Sequence, residues 1–248
     1  MHIMKQQTTT ELKGKTVVVI GGSSGIGLAT AKAAALHGAK VIIASSNQQR
    51  IDRALKELPP ESIGYKIDVT NETLVKNLFE TIGSFDHLVF TAGENLILGN
   101  IADTALEVAR NYFNIRYWGA ITAVKYATPF INVTGSIVLT SGIASNRPNK
   151  GWGLGASICA AMEGFTRAMA IELAPIRVNI VSPGVVKTEL WSGMGEYERE
   201  AMYNDIGNTL PVKRVGEAKD VAKAFVYLLE QQYCTGQTLI VDGGNSLV

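Results

Sequence analysis

Cysteine, histidine and proline are scarce in this chain, at two, three and seven among 248 residues, and each shortage removes a class of protein. Cys159 and Cys234 match no metal-ligand spacing, and a lone pair in a chain of this size is no disulfide framework. No metal site is expected, and a reducing cytoplasm is the expected setting. Like charges do not cluster: 23 basic and 22 acidic residues leave a net charge of +1. Nothing therefore draws the chain electrostatically to nucleic acid or to an anionic membrane surface. Apolar runs stop short of the roughly 18 residues needed to span a bilayer. The opening MHIMKQQTTTEL is polar instead of a charged stretch followed by an apolar one, so no leader is expected and residues 1–12 read as a flexible tail. His2, His37 and His87 fall in that tail, at a helix end and at a strand start, where none is placed for acid–base work.

What is abundant is apolar side chain, at 46%, and glycine, at 25 residues. Short β-branched runs (VVVI at 17–20, VII at 41–43, HLVF at 87–90, SIVL at 136–139, VNIV at 178–181, TLIV at 238–241) alternate with amphipathic stretches such as LATAKAAALHG and NETLVKNLFETIG. Asn71 opens the second stretch as an N-cap. Consecutive apolar positions in the short runs mean strands covered on both faces, hence a parallel sheet between helices. The expected architecture is one doubly wound α/β domain over 13–248, with about seven strands. A long irregular insertion at about 188–212, TELWSGMGEYEREAMYNDIGNTLPV, is expected to cover a site or to join subunits.

GGSSGIG at 21–27 follows the first strand and leads at once into a helix. Glycines at 21, 25 and 27 let the backbone turn sharply and approach a pyrophosphate, whose charge sits against the unpaired N–H groups of the helix start. Strand, glycine turn and helix in that order point to dinucleotide binding. At the end of the second strand an acidic side chain would hold a ribose 2′-OH. The sequence there, IIASSNQQR, has no carboxylate. Ser45, Ser46, Asn47 and Arg50 can donate to a 2′-phosphate instead, so NADP(H) is favoured over NAD(H); Arg50 fits a solvated helix face equally well.

These stretches resemble the short-chain dehydrogenase/reductase family, nearly end to end. Gly21, Gly25 and Gly27 match its glycine fingerprint, with Ser23, Ser24 and Ile26 within the same turn. The resemblance implies that Asp68 and Val69 in IDVT border the adenine, and that Thr91, Ala92 and Gly93 in TAGE form the turn beside the cofactor. It also implies that Pro183, Gly184, Val186 and Thr188 in VSPGVVKTEL clamp the nicotinamide. The final TGQTLIVDGG is similar to the family's last strand. A dimer or tetramer of identical subunits and a small-molecule ligand are implied as well.

Family catalysis, by the same resemblance, requires a tyrosine, a lysine four residues later, a serine about thirteen before the tyrosine, and an asparagine on an earlier helix. A phenol with a pKa near ~10 is useful at neutral pH only beside a cation. CAAMEGFTRAMAIELAPIRVNIVSPG fixes the register and puts Gly155 at the tyrosine position, Cys159 at the lysine position and Gly142 at the serine position. Ser141 is adjacent, with its side chain expected to point elsewhere. Arg116 falls at the asparagine position, where its guanidinium is expected to replace the missing lysine charge; a helix-surface arginine is the plainer reading. Cys159 reads as small-residue packing, Trp152 as a wall of the pocket, and Trp191 and Met194 as apolar surface for a bulky or planar ligand or for packing. Three functions stay open: an NADP(H)-dependent oxidoreductase with a non-standard active site, a catalytically silent NADP(H) sensor or scaffold, and a lyase or isomerase in the same pocket.

Overall fold

A computed structural model describes residues 11–248. Most of the stretch expected as a tail, residues 1–10, lies outside the described residues. Leu12, assigned to that tail from sequence, is instead fully buried within a turn over 11–14, because it packs under the helices that cover one face of the sheet.

Along the chain the main elements are β1 (Thr16–Ile20), α1 (Gly25–Leu36), β2 (Lys40–Ser45), α2 (Gln48–Leu55), β3 (Ile63–Lys66), α3 (Glu72–Ile82) and β4 (Phe85–Phe90). The second half continues with α4 (Leu106–Asn111), α5 (Ala120–Ala127), β5 (Ile131–Thr140), α6 (Gly153–Glu172) and β6 (Arg177–Pro183). It ends with β7 (Val186–Lys187), α7 (Glu196–Thr209), β8 (Gly216–Glu217), α8 (Ala218–Glu230) and β9 (Thr238–Val241). Seven strands form one parallel sheet in the order β3-β2-β1-β4-β5-β6-β9, and β7 pairs with β8 apart from it. All six strands expected from sequence are present, with β3 added.

Alternation along the strands explains why their sequences are apolar throughout. In β1, Val18 and Ile20 enter a core built with Val75, Leu78 and Phe79 of α3, Ala123 and Val124 of α5 and Met162 of α6. Val17 and Val19 enter the opposite core, with Ala31 and Ala34 of α1, Ile51 of α2 and Phe225 of α8. Neither face meets water, so neither carries a polar row. Asn71 caps α3 by accepting from the Leu74 amide at 3.2 Å. The segment 188–212 is not irregular: a short 3-10 turn over Glu189–Trp191 leads into α7. Trp191, Tyr203, Val185 and Val215 make a third, small core beneath it. Among the described residues, no helix is long and apolar enough to cross a membrane.

The direction of strand order reverses between β1 and β4, the place where an open α/β sheet leaves a crevice beyond its carboxyl ends. Most of the functional residues expected from sequence fall around that crevice.

Candidate functional site

A cleft of about 480 Å³ opens over the carboxyl ends of β1, β2, β4, β5 and β6. At one end lies the turn between β1 and α1. Gly21 has φ +85° and Gly25 φ +52°, conformations that a side chain disfavours. A Cβ on Gly21 would lie 2.5 Å from the Ala92 nitrogen, and one on Gly27 would strike the Gly21 carbonyl and the Thr91 hydroxyl. The turn is thus wedged backbone to backbone against the strand-end segment Thr91–Ala92, with the Thr91 amide donating to the Ile20 carbonyl at 2.8 Å. Ser24, at the N-cap of α1, makes no side-chain cap and the first turn carries no acidic residue. The N–H groups at this helix start are left to face whatever enters the cleft, the arrangement that suits a phosphate.

At the end of β2, Ser23 donates to the Ser45 hydroxyl at 2.7 Å, and both border the cleft with Ser46 and Arg50. The Arg50 guanidinium reaches across to Glu189, Nη2 to Oε2 at 3.0 Å, and so bridges the mouth to the segment after β7. Asn47, expected among the cofactor contacts, is not part of the lining. Its Oδ1 accepts from the Arg50 amide at 3.0 Å, because the first turn of α2 needs an N-cap. Asp68 and Val69 border the cleft; Asp68 Oδ1 accepts from the Thr70 amide and hydroxyl. Thr91, Ala92, Gly93, Pro183, Gly184, Val186 and Thr188 line it, as do Trp152 and Trp191. Trp191 is fixed by its indole N–H, which donates to the Val186 carbonyl at 3.1 Å. Met194 does not line the cleft, since it packs against the small core under α7.

The other end of the cleft brings together Arg116, Ser141, Gly142, Gly155 and Cys159. Ser141 is buried and donates to Glu163 Oε1 at 2.8 Å, with the Cys159 carbonyl at 3.2 Å. Ser145 donates to the same carboxylate oxygen at 2.6 Å. The Ser141 proton is therefore committed to Glu163 and is not offered to the cleft. Burial pushes the Cys159 thiol up, against the positive charge of Arg116 and the Ser141 hydrogen bond, so it stays protonated and is no ready nucleophile. His37 Nδ1 lies 2.8 Å from Glu230 Oε1, and His87 Nδ1 lies 2.9 Å from Ser136 Oγ. Burial drives the His87 imidazole down to about 4, and neither side chain borders the cleft. His2 lies outside the described residues.

Arg116 sits on a π-helical turn, Asn114–Gly119, between α4 and α5, where the Trp118 amide donates to the Phe113 carbonyl at 3.0 Å. Such turns widen a helix by one residue and recur at functional sites. Glu94, which follows the TAG turn, holds this one in place: its Oε1 accepts from the Ile115 amide at 2.6 Å and the Arg116 amide at 3.0 Å. Its Oε2 is buried without a hydrogen bond, 3.9 Å from Arg116 Nε. The guanidinium lies against Gly93, where a Cβ would run into it. One turn before Arg116 is Tyr112, 4% exposed and bordering the cleft. Its hydroxyl lies 3.9 Å from where a Cβ on Gly155 would stand. Tyr112, Glu94 and Glu163 were not singled out from sequence. No motif marks them; the signal for Tyr112 is its four-residue spacing from Arg116.

Residues 20–246 match the family model described as Enoyl-(Acyl carrier protein) reductase. The chain is 32% identical to short-chain dehydrogenase/reductase fsr5 of Gibberella fujikuroi, over 96% of this chain and 97% of that one. It is 35% identical to carbonyl reductase family member 4 of Danio rerio, over 94% and 99%. Among solved structures, a small-chain dehydrogenase in complex with NADPH superposes with a TM-score of 0.81 at 36% identity, over 95% of this chain and all (100%) of that chain. The MalC reductase/Diels-Alderase of Malbranchea aurantiaca gives 0.88 at 30% identity, over 96% and 98%. A model match over nearly the whole length and relatives above 30% identity along both chains mean that this protein belongs to the short-chain dehydrogenase/reductase family of oxidoreductases.

Proposed function

We propose that the chain is an NADP(H)-dependent oxidoreductase that transfers hydride to or from a small carbonyl compound or alcohol, with an active site that dispenses with the usual serine, tyrosine and lysine. The observation that carries this reading is the continuity of one cleft. The glycine turn with its uncapped helix start, the hydroxyls of Ser45 and Ser46, Arg50, and the Pro183–Thr188 segment all border the same cavity as Arg116 and Gly155. The fit of the group is tested by the turn itself: Gly21 and Gly27 leave no room for a Cβ, and the unpaired amides beside them suit a pyrophosphate. Ser45, Ser46 and Arg50 supply donors at the end of β2 where a 2′-phosphate would lie, with the Glu189 carboxylate, paired to Arg50, across the mouth. The relative crystallised with NADPH adds weight to NADP(H) over NAD(H).

When bound, the nicotinamide supplies the hydride. The protein's share is to bind and orient it through the glycine turn and the Pro183–Thr188 segment, and to place positive charge from Arg116 near an oxygen that becomes negative. Gly142, Gly155 and Cys159 stand where the resemblance puts the usual catalytic side chains. That substitution keeps a silent NADP(H) sensor, and a lyase or isomerase, as the competing readings. Tryptophan fluorescence titrated with NADPH and NADH, followed by a carbonyl and alcohol panel read at the reduced-coenzyme absorbance, separates them. NADPH binding at least tenfold tighter than NADH, with turnover of some carbonyl, is the expected result, a ratio equal to about 1.4 kcal/mol. Binding without turnover favours the sensor, and no binding of either coenzyme overturns the reading.

A further inference from the structure

We infer that Tyr112 and Arg116, one helical turn apart at the closed end of the cleft, form the acid of this site: Tyr112 gives its phenolic proton to a carbonyl oxygen and Arg116 balances the charge left behind. The inference rests on the function proposed above and names the groups that complete it.

Reduction of a carbonyl needs a proton for the oxygen, and the residues bordering the cleft supply few candidates. Asp68, Arg50 and Glu189 lie at the open, coenzyme-side rim. Ser141 is committed to Glu163, and the Thr140 hydroxyl donates to the Phe90 carbonyl at 2.7 Å. Tyr112 is the one tyrosine bordering the cleft among the described residues. Its hydroxyl stands opposite Gly155, whose lack of a side chain leaves open space in front of it: beyond the adjoining residues and backbone of its own helix, no other heavy atom of the described residues lies within 4 Å of that missing Cβ. A residue of ordinary size there would fill the approach.

Two features suit this phenol to acid work. Burial pushes its pKa above the ordinary value, more than the Arg116 charge and the backbone hydrogen bond from Ile97 pull it down. The proton is therefore in place at neutral pH, while a developing alkoxide is basic enough to take it. Arg116 is the cation within reach, and it is held there: Glu94 grips the π-helical turn through two amides and pairs loosely with the guanidinium, which rests on Gly93. Glu94 is a positioning residue.

The step balances as follows. With a reduced nicotinamide bound, the carbonyl carbon would receive hydride, two electrons and a proton, and the coenzyme would be left oxidised. The C=O π pair moves to oxygen, the Tyr112 O–H bond breaks, and its proton goes to that oxygen to give the alcohol. The phenolate that remains is stabilised by Arg116 and recovers a proton from water entering the cleft.

Three measurements on the full chain test the assignment. Tyr112→Phe keeps the ring and its packing, so NADPH affinity by fluorescence stays within about twofold of wild type. The kcat falls on the order of a hundredfold or more, the usual contribution of a positioned acid, with KM little changed. Ultraviolet difference titration identifies the Tyr112 phenolate as the component lost in Tyr112→Phe. In Arg116→Gln that component moves to higher pH, since a cation that favours the phenolate is gone. An unmoved titration overturns the pairing whether or not coenzyme binds. Wild-type turnover in Tyr112→Phe, or a wild-type chain that binds NADPH and reduces nothing in the panel, overturns the acid role while leaving the coenzyme reading intact. Loss of coenzyme binding in the wild-type chain sinks the proposed function instead.

Discussion

At the turn between β1 and α1 a Cβ on Gly27 would strike a carbonyl and a hydroxyl, whereas at the start of α6 a Cβ on Gly155 would find, beyond its own helix and among the described residues, only the Tyr112 hydroxyl, at 3.9 Å. Both glycines border the same cleft. The first is imposed by backbone approaching backbone, and no neighbour there can give way. The second has room, and what keeps it small is the empty space in front of a phenol. One end of the cleft is thus shaped by main chain and the other by side chains, Tyr112 at the end of α4 and Arg116 on the widened helical turn that Glu94 holds in place. A glycine in a functional sequence can mark either a contact too close for a side chain or a volume kept clear for a ligand, and only the neighbours of its missing Cβ tell the two apart.

That contrast can be broken by substitution. Gly27→Ala has the largest expected effect: overpacking against backbone costs about 3 kcal/mol or more, read as a lowered urea midpoint, with dinucleotide binding lost alongside. A variant of wild-type stability would mean that the turn is looser than its geometry. Glu94→Ala comes next, since it leaves the Ile115 and Arg116 amides without their acceptor and Arg116 without its counter-charge; the loss is about 2 kcal/mol. Glu94→Gln, which keeps an acceptor, should lose clearly less, and equal losses would place the effect in packing. Gly155→Ala is the smallest, within about 1 kcal/mol of wild type and on the stabilising side, because alanine suits a helix better than glycine. A substantial loss there would show that the start of α6 has no spare room after all.

Much of this was legible in the sequence. The six short, largely apolar runs became strands because both faces of the sheet are covered, so apolar residues fall on consecutive positions, broken mid-run only by Asn179. β3 was passed over: IGYK is short, and its side chains are exposed or half-buried. α7 hides within 188–212 because its apolar residues do not gather on one face; Tyr197 is 87% exposed while Tyr203 is buried in the same helix. The glycine turn announced itself, as backbone-built sites do, through residues that permit few other uses. Asn47 was ambiguous because an amide that can donate to a phosphate is also a good cap for α2, the use its Oδ1 has here. Tyr112 and Glu94 were invisible for a different reason. They lie far from the stretch that sets the register of α6: only the folding of the TAG turn onto the π-helical segment brings Glu94 to Arg116, and only the packing of α6 brings Gly155 to Tyr112.

The bridge from Arg50 to Glu189 has a consequence for traffic through the mouth of the cleft. Its side chains are 45% and 54% exposed, so the bond is screened by salt and worth less than about 1 kcal/mol. It acts as a light latch that thermal motion lifts easily. An incoming phosphate on that rim would take over the guanidinium and set Glu189 free, exchanging one anion for another without ever stranding the cation. A ligand bound at one bank would in that way loosen the opposite bank, where the 3-10 turn Glu189–Trp191 begins.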